Sequence, residues 1–148
     1  MGFTRILVPV DFSESSLCAL EVAQSLASRF GAELHLFHSQ PINFVVSSPY
    51  APALPVYYFE DLTRAAAKQL HDWRLKHCEQ DLEVEEHLSE LPAINAILEL
   101  AEELPADLIV IGTRGQTGIK HVLLGSVAER VVQRASCPVL TVKSDEEQ

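Results

Sequence analysis

Three glycines and a serine in the last third of the chain have the type and spacing needed to bind an anion. Gly112 and Gly115 directly follow the apolar run 107–111, and Gly125-Ser126 comes after nine further residues. Glycine tolerates positive φ and lets other groups approach the backbone, so such a loop can turn several N–H donors toward one anion. A helix beginning at Gly125-Ser126 would add free N–H groups and the positive end of its dipole. The spacing predicts a cradle for the phosphates of a nucleotide.

The same residues also have purely structural interpretations. The glycines could form a tight loop after a buried strand without any ligand. Ser126 and Glu129 have the spacing of a capping box, so the Ser126 hydroxyl could simply cap a helix. Asp11 could face a ligand at the end of the first strand, or could lie in a helix N-terminus where the dipole favours it. Arg114 and Lys120 could contact phosphates or be exposed loop charges.

The elements that must position these residues alternate between strand and helix. Apolar runs predict strands at 5–10, 33–38, 82–88, 107–111 and 138–142. Amphipathic spacing predicts helices from the Ser13 cap to about Phe30, where Gly31 ends the first, and at about 57–79, 93–103 and 126–135. This alternation predicts an α/β fold: a single-domain, doubly wound, five-stranded parallel sheet with helices on both faces, Rossmann-like in character.

Chain topology indicates where a ligand would bind. Right-handed crossovers restrict the strand order, and in the order 3-2-1-4-5 strands one and four are neighbours, with the winding reversing between them. Ligands on such sheets bind at the carboxyl ends of the strands at that reversal. The segments that meet there are 9–11 and 112–115, so the loop and the topology indicate the same place. Strand 82–88 alternates in part and is expected at a sheet edge.

Composition excludes several classes of partner and site. A formal net charge of −10 argues against nucleic acid or an anionic membrane as the main partner. No apolar run approaches the roughly 20 residues of a membrane helix, and no secretory signal is visible, so we expect a cytoplasmic protein. Three cysteines without metal-ligand spacing are expected to be reduced thiols. The histidines show no obvious ligand grouping, so no metal site is predicted; they are His35, His38, His71, His77, His87 and His121.

Two segments lie outside the alternating pattern. The stretch 40–56 is long and contains four prolines, which is typical of a lid, an interaction surface or a disordered segment. The acidic stretch 144–148 is expected to be a frayed tail, which leaves 1–143 as the domain.

The chain resembles the universal stress protein family over essentially its whole length. The resemblance rests on the first strand through Asp11, on the run 107–112, and on the family's nucleotide motif G-x2-G-x9-G-[S/T], which 112–126 fulfils without a gap. It implies that Asp11 faces the nucleoside, that the Ser39 backbone meets the adenine, and that the glycine loop contacts ribose and phosphates. The residues that the resemblance assigns to nucleotide binding are Pro9, Val10, Asp11, Ser39, Ile111, Gly112, Thr113, Gly115, Gly125, Ser126 and Val127.

The resemblance further implies ATP, with or without Mg²⁺, as the ligand and a homodimer formed through the last strand, 138–142. One residue departs from the family pattern: Glu90 occupies a position that is often glycine, two residues before Pro92. Its carboxylate could disfavour phosphate or point into solvent. The preferred hypothesis is therefore an ATP-binding stress-response regulator. The alternatives are a nucleotide-free dimeric interaction module of the same fold and a slow ATP hydrolase. The hydrolase has little support, because the chain lacks the GK[ST] and GxSxG motifs.

Overall fold

A computed structural model of the chain describes residues 2–42, 49–50, 54–115 and 123–144. Five parallel strands form one sheet in the order β3-β2-β1-β4-β5, which confirms the predicted fold class and the strand order 3-2-1-4-5. The strands are β1 (Arg5–Pro9), β2 (Glu33–Ser39), β3 (Val84–Ser89), β4 (Leu108–Gly112) and β5 (Val139–Val142). The helices are α1 (Glu14–Phe30), α2 (Val56–His77), α3 (Ala93–Glu103) and α4 (Ser126–Arg134).

Each face of the sheet is covered by two helices. Ile6 and Val8 of β1 pack with α1 and α2, whereas Leu7 between them packs with α3 and α4. Successive strand residues point to opposite faces, so a strand that is covered on both faces is apolar without alternation. This is why β4 is an uninterrupted apolar run and is buried throughout. The strand predicted to be half-exposed, β3, lies at the edge as expected.

The helix ends decide between two interpretations of Ser126. In α1, Ser13 is the N-cap and accepts a hydrogen bond from the backbone N–H of Ser16, and Gly31 ends the helix in the left-handed region with φ of 68°, as predicted. In α4, however, Gly125 takes the N-cap position and Ser126 is the first helical residue. The interpretation that the Ser126 hydroxyl caps this helix is therefore wrong, because its residue lies one position too far along the chain.

Most predicted boundaries agree with the structure to within a few residues. β1 ends at Pro9, so Val10 follows the strand, and β2 continues through Ser39, which was expected just after it. Parts of the long stretch 40–56, namely 43–48 and 51–53, lie outside the described residues, as do Lys120, His121 and residues 145–148 of the acidic tail. Within the described part of the chain, no helix has both the length and the apolar content of a membrane span.

Candidate functional site

A cavity of about 200 Å³ lies at the carboxyl ends of β1 and β4, where the winding of the sheet reverses. The structure brings all of the residues predicted from the sequence to the wall of this one cavity. They are Pro9, Val10, Asp11, Ser39, Ile111, Gly112, Thr113, Gly115, Gly125, Ser126 and Val127.

A tight turn between β1 and α1 holds Asp11 at the cavity. The Asp11 carboxylate accepts hydrogen bonds from the backbone N–H of Ser13, at 3.0 Å, and from the Ser13 hydroxyl. Helix α1 begins only at Glu14, so Asp11 precedes the helix and its interpretation as a helical residue is wrong. Phe12 has a φ of 65°, which is uncommon for a residue other than glycine, and its ring lies against His38 with centroids 4.4 Å apart. The turn therefore fixes the direction of the Asp11 side chain.

Gly112, the last residue of β4, and Gly115, which follows the strand, are required for different reasons. A Cβ at Gly112 would lie 2.5 Å from the Ser15 hydroxyl oxygen and 2.6 Å from the Ser15 carbonyl oxygen, so glycine here allows β4 to pack against the start of α1. A Cβ at Gly115 would lie 3.1 Å from the Asp11 carboxylate, its one close contact among the described residues. Gly112 is thus a packing residue as well as a cavity residue, whereas Gly115 leaves space beside a carboxylate.

The start of α4 provides hydrogen-bond donors at the wall of the cavity. The Gly125 N–H donates to the Thr113 carbonyl at 2.6 Å, which closes the loop and places Ser126 and Val127 at the cavity wall. Because glycine at the N-cap has no side chain, it provides no side-chain cap for the amides of the first turn. These amides and the positive end of the helix dipole suit an anionic ligand.

Apolar side chains form another part of the wall. Val10, Phe37, Ile97 and Ile111 contribute from β2, α3 and the ends of β1 and β4. Among the described residues that line the cavity, Asp11 is the single carboxylate. An apolar surface beside N–H donors, with one carboxylate, suits a ligand that has a flat apolar part and an anionic part.

Several lining residues were not predicted. The Phe37 carbonyl accepts from the Val10 N–H at 2.7 Å, and the His38 Nδ1 lies 2.8 Å from the Val10 carbonyl, to which it must donate. Their position at the carboxyl end of β2, beside the reversal, is the signal that could have identified them. Arg114, which the sequence left undecided, also lines the cavity, and its backbone N–H donates to the Ser15 hydroxyl at 3.2 Å. The lining residues that were not predicted are Ser16, Phe37, His38, Ala93, Ile97, Arg114 and Ala128.

Glu90 does not line the cavity. Its carboxylate accepts a hydrogen bond from the Thr63 hydroxyl of α2 at 2.7 Å, and Glu90 is exposed to solvent. Of the two expectations for Glu90, the solvent-facing one is therefore correct.

Comparison with known proteins identifies the family. The family model described as "Universal stress protein family" matches residues 2–143. Universal stress protein MJ0531 of Methanocaldococcus jannaschii is 36% identical over 148 residues, which cover 95% of this chain and 82% of that protein.

Solved structures agree with this match. The structure of protein MJ0577 of Methanocaldococcus jannaschii superimposes with a TM-score of 0.77 at 27% identity, covering 97% of each chain. The universal stress protein from Archaeoglobus fulgidus in complex with dAMP has a TM-score of 0.68 at 25% identity, covering 97% of this chain and 100% of the other. This chain therefore belongs to the universal stress protein family.

Proposed function

We propose that the cavity binds an adenine nucleotide, with ATP as the physiological ligand, and that the protein is a cytoplasmic stress-response regulator controlled by that binding. The observation that carries the proposal is the arrangement around Gly115. The Asp11 carboxylate and the start of α4 both lie close to Gly115, and apolar residues of β2 and α3 line the same cavity. A relative of the same family binds dAMP, which agrees with the choice of an adenine nucleotide.

The nucleoside and the phosphates of the nucleotide would occupy different places at the site. The cavity has a volume of about 200 Å³, below the roughly 300–1,000 Å³ of sites that enclose a drug-sized ligand. We therefore expect it to enclose the nucleoside, with the base against Phe37, Ile97 and the Ser39 backbone. Asp11 is an acceptor suited to a ribose hydroxyl.

The phosphates would extend from the cavity past the exposed Gly115 toward solvent. There the N–H groups of the first turn of α4 would donate to their oxygens, and the helix dipole would favour their charge. Arg114 lines the same region and could add a charge-assisted hydrogen bond. A Mg²⁺ ion keeps several waters and takes few protein ligands, so it could accompany the phosphates without a dedicated protein site.

Replacing Gly115 tests this proposal. The Gly115→Val side chain would fill the space beside Asp11 and the phosphate path, so we expect ATP affinity to fall by about 100-fold, or about 2.7 kcal/mol. Calorimetric titration with ATP and Mg²⁺ measures this. Gly2→Val is the matched control, because Gly2 is exposed and a Cβ there would meet only Phe30, at 3.9 Å. Unchanged affinity in a folded Gly115→Val variant would show that the site is assigned wrongly.

We further propose that the protein is a homodimer formed through residues 138–142. β5 is an edge strand, and edge strands present unpaired N–H and C=O groups to other chains. Leu140 of this strand is 38% exposed, and Val132 of the adjacent α4 is 46% exposed. Leu140→Lys should therefore yield a monomer in sedimentation equilibrium, whereas Leu75→Lys, on the exposed surface of α2, should not. If Leu140→Lys remains as dimeric as the unmodified protein, another surface forms the dimer.

A further inference from the structure

Two histidines and a glutamate meet at the β2–β3 edge of the sheet, outside the set of residues that line the cavity. His35 of β2 is in register with Glu85 of β3, and His87 follows Glu85 by two residues, so all three side chains lie on the face covered by α3 and α4. The sequence had suggested no grouping of histidines, because the partners belong to different strands and are 52 positions apart.

The ligand atoms are spaced as a metal ion requires. The His35 Nδ1 lies 3.0 Å from the His87 Nε2 and 3.5 Å from the Glu85 Oε2. The His87 Nε2 lies 3.7 Å from the same Glu85 oxygen. A triangle with these sides has a point about 2.0 Å from all three atoms, which is the usual Zn–N and Zn–O bond length.

The burial of the His35 ring is a second indication of a metal site. The ring is only 3% exposed, and its Nε2 is buried without a hydrogen-bond partner in the described part of the chain. The Oε2 of the Glu33 carboxylate lies 3.7 Å away. A histidine that binds a metal through one nitrogen usually directs its other N–H to a carboxylate, which orients the ring. Glu33 is placed for that role.

A hydrogen bond between the two rings is the alternative to a bound ion. If the His35 Nδ1 donates to His87, the His35 Nε2 is a buried lone pair that faces a carboxylate, which costs about 1–3 kcal/mol. If His87 donates instead, the His35 Nε2–H faces the Glu33 Oε2 at 3.7 Å, as it would with a bound ion. A metal ion would use both ring nitrogens that lie between the strands.

We propose that His35, Glu85 and His87 bind one zinc ion, with water as the fourth ligand. Two imidazole nitrogens and one carboxylate suit zinc, whereas Mg²⁺ and Ca²⁺ prefer sites made of oxygen atoms. The Glu85 side chain is 57% exposed and that of His87 is 22% exposed, so an ion can enter from solvent. The bound ion would link the edge strand β3 to β2 and stabilise the sheet there.

Zinc binding by the full chain tests the proposal. After chelation and desalting, competition with a chromogenic chelator should show one zinc ion bound per chain, and zinc should raise the unfolding temperature. His87→Gln and Glu85→Gln each remove one ligand. We expect each to weaken zinc binding at least about 100-fold, the upper end of what the loss of an outer partner costs.

His71→Gln is the matched control, because this exposed histidine contacts Glu86 on the other face of the sheet. It should bind zinc with affinity within about twofold of the unmodified chain, since it lies outside the proposed ligand set. Co²⁺ in place of zinc should show visible d–d bands without a thiolate charge-transfer band, which separates this site from binding by cysteines. Equal zinc affinity in His87→Gln, a thiolate band, or no stoichiometric zinc in the unmodified chain would each overturn the proposal.

Discussion

The two ends of the β1–β4 pair each carry an aspartate, and the two aspartates are used differently. At the amino end, the Asp107 carboxylate accepts from the Thr4 N–H at 2.8 Å, the Thr4 hydroxyl at 2.7 Å and the Arg5 N–H at 3.2 Å. At the carboxyl end, the Asp11 carboxylate accepts from Ser13 and lines the cavity. The protein's own donors thus tie the strands together at one end, and at the other the strands separate into loops around an open space.

The comparison shows how one pair of parallel strands can supply both stability and a site. Donors that tie the amino ends together leave the carboxyl ends free to diverge. The loops that leave β1 and β4 there run to different helices, which is what the reversal of winding produces. Substitutions at the amino end should therefore change stability alone. At the carboxyl end, some substitutions should disrupt packing and others should weaken ligand binding.

The largest effect on stability is expected at Gly112. Gly112→Ala would place a Cβ within 2.7 Å of the Ser15 backbone, so strand or helix must shift, and we expect the free energy of unfolding to fall by about 2–3 kcal/mol. Gly115→Ala is the matched control, because among the described residues its Cβ would meet the end of the Asp11 side chain and no backbone. Urea denaturation measures both. Equal losses in the two variants would show that the glycines do not differ as described.

A smaller effect is expected at the amino end. Burial, the largest single influence, raises the pKa of Asp107, but the hydrogen bonds from Thr4 and Arg5 and the Arg5 charge together outweigh it, so its pKa lies below the ordinary value. A carboxyl group with a lowered pKa stabilises the fold above its ordinary pKa and loses that contribution as pH falls through the lowered value.

Asp107→Asn should therefore lower the free energy of unfolding by about 1–2 kcal/mol at pH 7, with the difference shrinking as the pH falls below about 4. Nucleotide affinity should not change. Asp81→Asn, at an exposed turn position, serves as the control. A difference that persists undiminished at pH 2 would mean that the charge of Asp107 is not the source of the effect.

The smallest effect is expected at Glu90. Its carboxylate contacts Thr63 rather than the cavity, so Glu90→Gly should leave ATP affinity within about twofold. Calorimetric titration with ATP measures this affinity in Glu90→Gly and in Thr63→Ala. The second variant removes the same hydrogen bond through its other partner. A tenfold gain in affinity for Glu90→Gly alone would mean that its charge reaches the phosphates.

Most of the fold could be predicted from the sequence, because apolar runs and glycines are local signals. Uninterrupted runs such as 107–111 mark strands that are covered on both faces, and Ser13 and Gly31 mark the ends of α1. The same signals located the cavity, since alternating strands and helices determine which carboxyl ends meet. The one-residue difference between Gly125 and Ser126 as N-cap could not be predicted, because serine is the stronger capping residue by type alone.

The remaining features depend on contacts between elements that are distant in sequence. His35 and His87 meet only because β2 and β3 pair in one particular register, and a shift of one residue would turn His87 to the other face. Similarly, the direction of Glu90 depends on the position of Thr63 in α2. Residue spacing within a single strand or helix therefore predicts neither the His35–His87 contact nor the direction of the Glu90 side chain.

The most direct test of the nucleotide proposal is to identify what the protein carries when it is purified gently. Acid precipitation releases bound nucleotide, which chromatography and mass spectrometry then identify and quantify against protein. We predict a near-stoichiometric adenine nucleotide, ATP or its product ADP, and its loss in Gly115→Val. An empty extract, followed by no heat on titration with ATP and Mg²⁺, would contradict the account and favour a protein that acts through its surfaces without a nucleotide.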